Sequence, residues 1–275
     1  MRAGAKRSPG YVAEAPGGGA AGRGRQGTAA AFVDLDRTLI AGSSAFQFGR
    51  AAHRAGFLTR AQLARDAWEA VLFRLKGSTD ERTDALRRRA GDALAGVRVR
   101  DLQRLAPQVL AGVLPRLYPQ MLEIAYRHQD EGRPIFICTA AAQEMADLMA
   151  LVLTFDGAVG SVAEVRDGRY TGREGGVFNY RDGKAQALRE LAAREGIDLA
   201  ASFAYSDSES DLPMLRLVGH PVAVNPDAEL ARVAAIEEWE VLRFDRLHRR
   251  LRVGGAALAT AGLGAAVAAL AGRRA

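Results

Sequence analysis

The sequence predicts an α/β fold, a doubly wound parallel sheet with an inserted helical cap, and three observations predict it. Short apolar runs at 31–35, 134–138, 203–205 and 222–224 alternate with stretches of helical spacing, the pattern of a parallel sheet wrapped on both faces. The runs at 31–35, 134–138 and 203–205 end in polar residues, on the side of an open α/β sheet where ligands bind. The block between the first two runs, 41–131, reads as helices and is too long for a simple crossover, so it is assigned to a cap.

Taken in order, residues 1–29 are Gly, Ala, Arg and Pro with almost no large apolar side chain, too little to offset ordering entropy, and are read as a disordered tail. They hold no apolar run of the kind a secretory signal needs. The core opens at Ala31-Phe32-Val33-Asp34-Leu35. Within the cap, Thr59 with Gln62 and Ser78 with Glu81 form capping-box patterns, and Leu63, Ala67, Ala70, Val71 and Leu75 fall at helical spacing. Pro119 can open a further helix and Gly132 close it. A strand at Pro134–Cys138 leads into a helix over Gln143–Leu153. Glu164–Gly172 reads as a hairpin turning at Asp167-Gly168, and Asp182–Glu195 as a helix stopped by Gly196. Strands at 203–205, 222–224 and 241–242 complete a core of 30–40 plus 132–245.

Composition narrows the class. The 275 residues contain one cysteine, which excludes a disulfide framework, and no Cys/His cluster has zinc spacing. The net charge of +6 resides in the ends: residues 1–29 carry five basic side chains against Glu14, and 243–275 carry seven arginines against Asp245. The body between them is mildly acidic, and the basic tails lack interleaved aromatics, so no nucleic acid is expected as a partner. The lone cysteine and the missing export signal point to the cytoplasm. Residues 246–275 form an Arg-flanked, Ala/Gly-rich tail in which 253–272 carries no charge. As a helix it would span about 30 Å, enough for a bilayer. Its three Leu and two Val contribute on the order of −2 kcal/mol toward insertion, largely offset by five Gly. Membrane association through 253–272 therefore stands beside a packed small-residue helix or a disordered tail. If it inserts, the heavier Arg cluster before it places the body in the cytoplasm.

The polar residues after the strands carry the chemistry. Asp34-Leu35-Asp36-Arg37-Thr38 follows the first strand, Thr139 the second, and Ser206-Asp207-Ser208-Glu209-Ser210-Asp211 a later one, while Gly183-Lys184 lies in a helix start. Lys184 is conspicuous because the first turn of a helix disfavours a cation by roughly 0.3–1 kcal/mol unless an anion faces it. Three carboxylates within 207–211 are better explained by a bound cation than by a turn. A cysteine phosphatase is excluded, since Cys138 would need Arg at 144 where Glu144 stands. A Walker loop is excluded by Phe178 and Ala185 at its glycine and hydroxyl positions.

These four motifs, in this order over about residues 31–240, resemble the haloacid-dehalogenase-like hydrolase superfamily, in particular its phosphoserine-phosphatase-like branch. The resemblance implies a Rossmann-like core and Mg²⁺-dependent hydrolysis of a small phosphorylated metabolite through an aspartyl-phosphate. By that resemblance Asp34 is the nucleophile and Asp36 the general acid and base. Thr139 and Lys184 would bind phosphate, and Asp34, Asp36, Asp207 and Asp211 would hold the metal. The two-residue step fits, because it puts both side chains on one side of an extended chain. Two departures stand out. Arg37 replaces the small residue usual between the second Asp and the Thr, and Ser43 stands where phosphoserine phosphatases usually place a Glu for the substrate's ammonium. A phosphotransferase with the same intermediate and a non-catalytic membrane-tethered scaffold of the same fold are the alternatives.

Overall fold

Ala31, Phe32 and Val33 form strand β1 (Ala31–Val33), and none is exposed to solvent. In an extended chain alternate side chains face opposite ways, so a strand buried on both faces must carry helices on both. The chain is described here by a computed structural model covering residues 27–59, 88, 91–92, 94–176 and 178–244. After β1 come α1 (Ser44–Arg54), α2 (Val99–Gln103), α3 (Ala106–Val113), a 3-10 turn at Leu114–Arg116, and α4 (Pro119–Asp130). Then follow β2 (Ile135–Ala142), α5 (Gln143–Val152), β3 (Gly157–Ser161), β4 (Ala163–Arg166), β5 (Arg169–Glu174) and α6 (Asp182–Glu195). The described chain ends with β6 (Phe203–Ser206), α7 (Leu212–Leu215), β7 (His220–Val224), α8 (Ala228–Ile236) and β8 (Glu240–Leu242).

Six strands make one wholly parallel sheet in the order β3-β2-β1-β6-β7-β8. The chain runs outward from β1 through β2 and β3, then returns to the other side of β1 as β6. The order therefore reverses at β1, and the crevice beyond the carboxyl ends of β1 and β6 is the place where such sheets bind ligands. Ala31, Val33, Ile135, Ile137, Tyr205, Val222 and Val224 share one core with residues of α1, α3, α4 and α5. Phe32, Phe136, Cys138, Ala204 and Ala223 share the other with α6, α7 and α8. That is the doubly wound arrangement.

The hairpin follows its sequence. Arg166 pairs with Arg169, and Asp167 and Gly168 both take positive φ, as a two-residue type I′ turn demands. Gly196 ends α6 in the left-handed region. Other parts differ from expectation. β3 was not anticipated, since Gly-Ala-Val-Gly-Ser has weak strand preference; pairing with β2 overrides it. β2 continues to Ala142, with its register shifting between Cys138 and Ala142, so Thr139 lies inside the strand rather than after it. α4 falls within the block read as cap, yet Met121 and Ala125 pack with Ile135 and Ile137, which makes it a crossover helix on the sheet. The capping patterns and helical spacing expected over 59–81 lie almost wholly outside the described residues. The same holds for the segment 253–272 and for 1–26 of the tail expected over 1–29; the end of that tail is ordered, Thr28 bridging Ile197 beside α6. Among the described residues no helix is long and apolar enough to cross a membrane.

Candidate active site

Asp34 is the first residue beyond β1, and its backbone N–H still donates to the Tyr205 carbonyl of β6 (2.9 Å). The sheet thus fixes its Cα, and its side chain enters the crevice 8% exposed. Lys184 reaches it from the first turn of α6: Nζ lies 2.8 Å from Asp34 Oδ1 and 2.7 Å from Asp211 Oδ2, with 3% of the side chain exposed. Ser206 Oγ donates to the same Asp211 oxygen at 2.6 Å. The cation disfavoured by the helix dipole is therefore held by two buried carboxylates.

Asp36 turns toward the amino terminus of α1. The Ser44 N–H donates to its Oδ1 at 2.7 Å, and Ser43 Oγ lies 3.4 Å from Oδ2. Between the two aspartates and Thr38, Arg37 adopts a positive φ of 64°, with its carbonyl accepting from Asn225 Nδ2 at 3.3 Å. Its guanidinium extends to Asp207, Nη1 lying 2.8 Å from Oδ2. That oxygen is buried and makes no aligned hydrogen bond, so the contact with Arg37 is an ion pair by distance only. Thr139 is buried; its Oγ1 accepts from the Ala141 N–H at 3.1 Å, and its carbonyl accepts from Asn179 Nδ2 at 2.7 Å.

Burial dominates the electrostatics. It pushes the Asp34 carboxyl up to about 7, Asp211 and Asp36 adding repulsion and Lys184 pulling back. Burial likewise raises Asp36 against the Ser44 and Ser43 hydrogen bonds. Asp207 rises to about 8, again through burial, opposed by Arg37 and reinforced by Asp34 and Asp211. For Lys184 burial acts downward, but Asp211 and Asp34 outweigh it and the ammonium is held well above its ordinary range. Asp34, Asp207 and Asp211 thus feel one another across the crevice. Among the described residues no three His, Cys, Asp or Glu side chains converge as a ready metal cage.

The structure brings Asp34, Lys184 and Asp211 into direct contact and sets Asp207 against Arg37. Asp36 lies beside α1, and Thr139 sits in the irregular end of β2. Four residues escaped the sequence reading. Ser206 holds Asp211. Asn179 ties Thr139 to β3 through its second bond, to the Val159 carbonyl (2.8 Å). Asn225 holds the Arg37 carbonyl and also accepts from the Phe244 N–H (2.7 Å). Asp227 accepts from the Glu209 N–H (2.9 Å) while capping α8, and donates its own N–H to the Asp207 carbonyl (2.8 Å). The last two had a signal, since Asn225-Pro226-Asp227 directly follows the apolar run at 222–224. Asn179, in an irregular loop, had none.

Comparison with known proteins bears on the fold and the family. The model of the haloacid dehalogenase-like hydrolase family matches residues 31–216. The phosphoserine phosphatase SerB1 of Mycobacterium tuberculosis is 39% identical over 250 residues, covering 90% of this chain and 81% of its own. A protein of unknown function from Bordetella pertussis superposes with a TM-score of 0.70 at 27% identity, over 79% of this chain and 99% of its own. A phosphoserine phosphatase captured as a phospho-aspartyl intermediate analogue shares the fold at 17% identity, with a TM-score of 0.57 over 80% of this chain and 94% of its own. The chain belongs to the haloacid dehalogenase-like hydrolase family, within its phosphoserine-phosphatase-like branch, and is a phosphatase.

Proposed function

We propose that the protein hydrolyses a small phosphomonoester with Mg²⁺ bound in this crevice, through a phosphoenzyme on Asp34. One observation carries the reading: Asp34 is fixed by the sheet at the switch point and paired with a fully buried lysine, beside a second buried carboxylate, Asp207, that lacks an aligned partner.

The donor set suits the ion. Mg²⁺ takes hard oxygen ligands and is commonly held by one or two carboxylates plus water. Asp34, Asp207 and the Asp36 carbonyl would supply that set, and Asp207 Oδ2, buried and met by the Arg37 guanidinium without an aligned hydrogen bond, is the sort of atom a cation satisfies. Asp211 already serves Lys184 and Ser206, which makes it a positioning group for the ammonium. Bound Mg²⁺ would supply positive charge against the phosphoryl oxygens and hold Asp34 ionised.

The remaining work falls to the chain's own residues. A carboxylate approaching a phosphate dianion to 4 Å meets about 8 kcal/mol of repulsion at an effective dielectric near 20. Lys184 offsets part of it from the α6 side while restraining the Asp34 oxygen it contacts. Asp34 Oδ attacks phosphorus, the P–O bond to the leaving group breaks, and the proton comes from Asp36, whose pKa burial raises. The Asp36 carboxylate then takes a proton from the water that releases phosphate. Thr139 donates to a phosphoryl oxygen once its hydroxyl turns from the Ala141 N–H.

Ser43 caps α1 by accepting from the Phe46 N–H (3.4 Å) and touches Asp36, so no acidic side chain stands there to hold a substrate ammonium. The reading is therefore a small phosphomonoester whose recognition does not use an ammonium at that place. The test is hydrolysis of an aryl phosphate with Mg²⁺ and with chelator, beside Asp34→Asn. Wild-type turnover should depend on Mg²⁺ and fall about a thousandfold or more in the variant, as for loss of a covalent nucleophile. Turnover indifferent to Asp34→Asn would remove the mechanism.

A further inference from the structure

Outside the crevice, among the described residues, three arginines gather around one cavity. Between α1 and α3 lies a cavity of about 170 Å³ walled by Gln47, Arg50, Arg54, Gln108, Gly112 and Arg116. Gln47, Arg50 and Arg54 recur at helical spacing and so form one stripe of α1. Arg116 comes from the 3-10 turn after α3, where Nη1 donates to the Gly112 carbonyl at 2.8 Å, fixing the guanidinium across the end of that helix. A Cβ on Gly112 would lie 2.8 Å from Gln47 Oε1, so the glycine is what lets α1 and α3 close around the cavity.

Two features point to a ligand. Gln47, 5% exposed, lines the cavity and brings a side-chain amide to it. The segments 43–58 and 104–118 that build the walls contain no Asp or Glu, and among the described residues Arg50 and Arg54 have no acidic partner. Three guanidinium groups around one small space repel one another unless an anion joins them, and their planar forks match the oxygens of a phosphate. At about 30 Å³ per water the cavity has room for roughly five or six, enough for a single oxyanion and too little for a nucleotide or peptide.

We propose that this cavity is a second anion site, distinct from the catalytic crevice, which binds a small doubly charged oxyanion of the phosphate type. Arg50, Arg54 and Arg116 supply the charge, and the Gln47 amide supplies a neutral donor. The site also bears on the crevice, because the amino-terminal turn of α1 holds Asp36 through the Ser44 N–H, and Arg50 follows about 9 Å along the same helix.

The experiment is calorimetric titration of the full chain with inorganic phosphate in the presence of Mg²⁺. Two classes of site are expected. The double variant Arg50→Gln/Arg54→Gln should lose one of them, by about tenfold or more in affinity, and keep its aryl phosphatase turnover at low phosphate. Lys184→Met should silence the other and leave this one in place. If the double variant does not fold, Arg54→Gln alone should weaken the site about threefold. Phosphate binding unchanged in the arginine variants, or abolished entirely by Lys184→Met in a folded protein, overturns the proposal.

Discussion

Two buried polar clusters sit at opposite ends of the same sheet, and they are built on different terms. At the amino ends of β2, β6 and β7, His128 is 5% exposed and every ring nitrogen is engaged. Arg133 Nε donates to His128 Nδ1 at 2.7 Å, so Nδ1 is an acceptor, Nε2 carries the hydrogen, and Nε2 donates to the Tyr205 hydroxyl at 2.7 Å. Phe203 lies between the rings of His220 and His128, centroids 4.5 and 4.6 Å away, with the Arg133 guanidinium 5.0 Å over its face. Glu131 pairs with Arg133. That end is finished: charges cancel and donors meet acceptors. At the carboxyl ends, three buried aspartates, Asp34, Asp207 and Asp211, face one buried ammonium and the partly exposed Arg37. That excess of buried carboxylates over cations is what the proposed function would use to hold a divalent ion.

The largest break in this comparison comes from removing the one buried cation. Lys184→Met should reduce aryl phosphate turnover by about two to three orders of magnitude, as loss of a preorganised charge does. It should also destabilise the chelated protein by about 3–5 kcal/mol, since Asp34 and Asp211 are left buried and unpaired. Urea unfolding with chelator and with Mg²⁺ separates the two effects. Mg²⁺ should restore part of the stability, by serving Asp34, and none of the turnover that depends on the ammonium. Equal stability of variant and wild type in chelator would mean that the aspartates do not need the lysine.

How far each end could be read from sequence follows from how each is built. Strand-end aspartates advertise themselves, because an apolar run that stops at Asp34 or Asp207 leaves few structural uses for a carboxylate. Lys184 was legible through its conflict with the helix dipole. The continuous apolar runs of β1, β6 and β7 were equally plain. By contrast, Arg37 reaching Asp207 across about 170 residues of chain depends on the β1–β6 pairing and on a positive φ, neither of which is local information. Asn179 and the hydroxyl of Ser206 act through tertiary contacts made by irregular backbone. β3 owes its existence to its neighbour rather than to its own residues. The His128 cluster was invisible for the same reason: its partners come from α4, the loop before β2, and β6.

The two ends should also answer acid with opposite signs. Burial, seconded by Arg133, holds His128 down at about 4 from an ordinary 6.5. The unfolded chain therefore binds this proton first, and the stability it contributes is complete above pH 6.5 and lost as pH falls toward 4, on the order of 3 kcal/mol in all. Asp34 and Asp207 are raised, so in chelator the folded state binds their protons first, and stability increases as pH falls from about 8 toward 4. His128→Gln can accept from Arg133 and donate to Tyr205 without titrating. Its unfolding free energy in chelator should rise more steeply than the wild type's as pH falls below 6.5, because the unfolded chain no longer gains the His128 proton that offsets part of the rise from Asp34 and Asp207. Parallel pH profiles for the two proteins would show that the His128 end is not a sink of acid stability.

The smallest effect probes the contact joining Asp207, the proposed metal ligand, to its internal counter-ion. Arg37 occupies Asp207 from one side, and its side chain is 30% exposed, so the pair contributes about 1 kcal/mol or less. A divalent ion on Asp207 has to outcompete or share that contact. Arg37→Gln should therefore tighten Mg²⁺ binding about threefold to fivefold, measured by calorimetry at a pH high enough that the affinity of each protein no longer changes with pH, where Asp207 is ionised in both. At pH 7 the gain should shrink or reverse. Arg37 is what pulls the Asp207 carboxyl down against burial, and without it the proton competes with the metal more strongly. A gain that grew as pH fell would mean that Arg37 acts on the metal directly, and not through the protonation of Asp207.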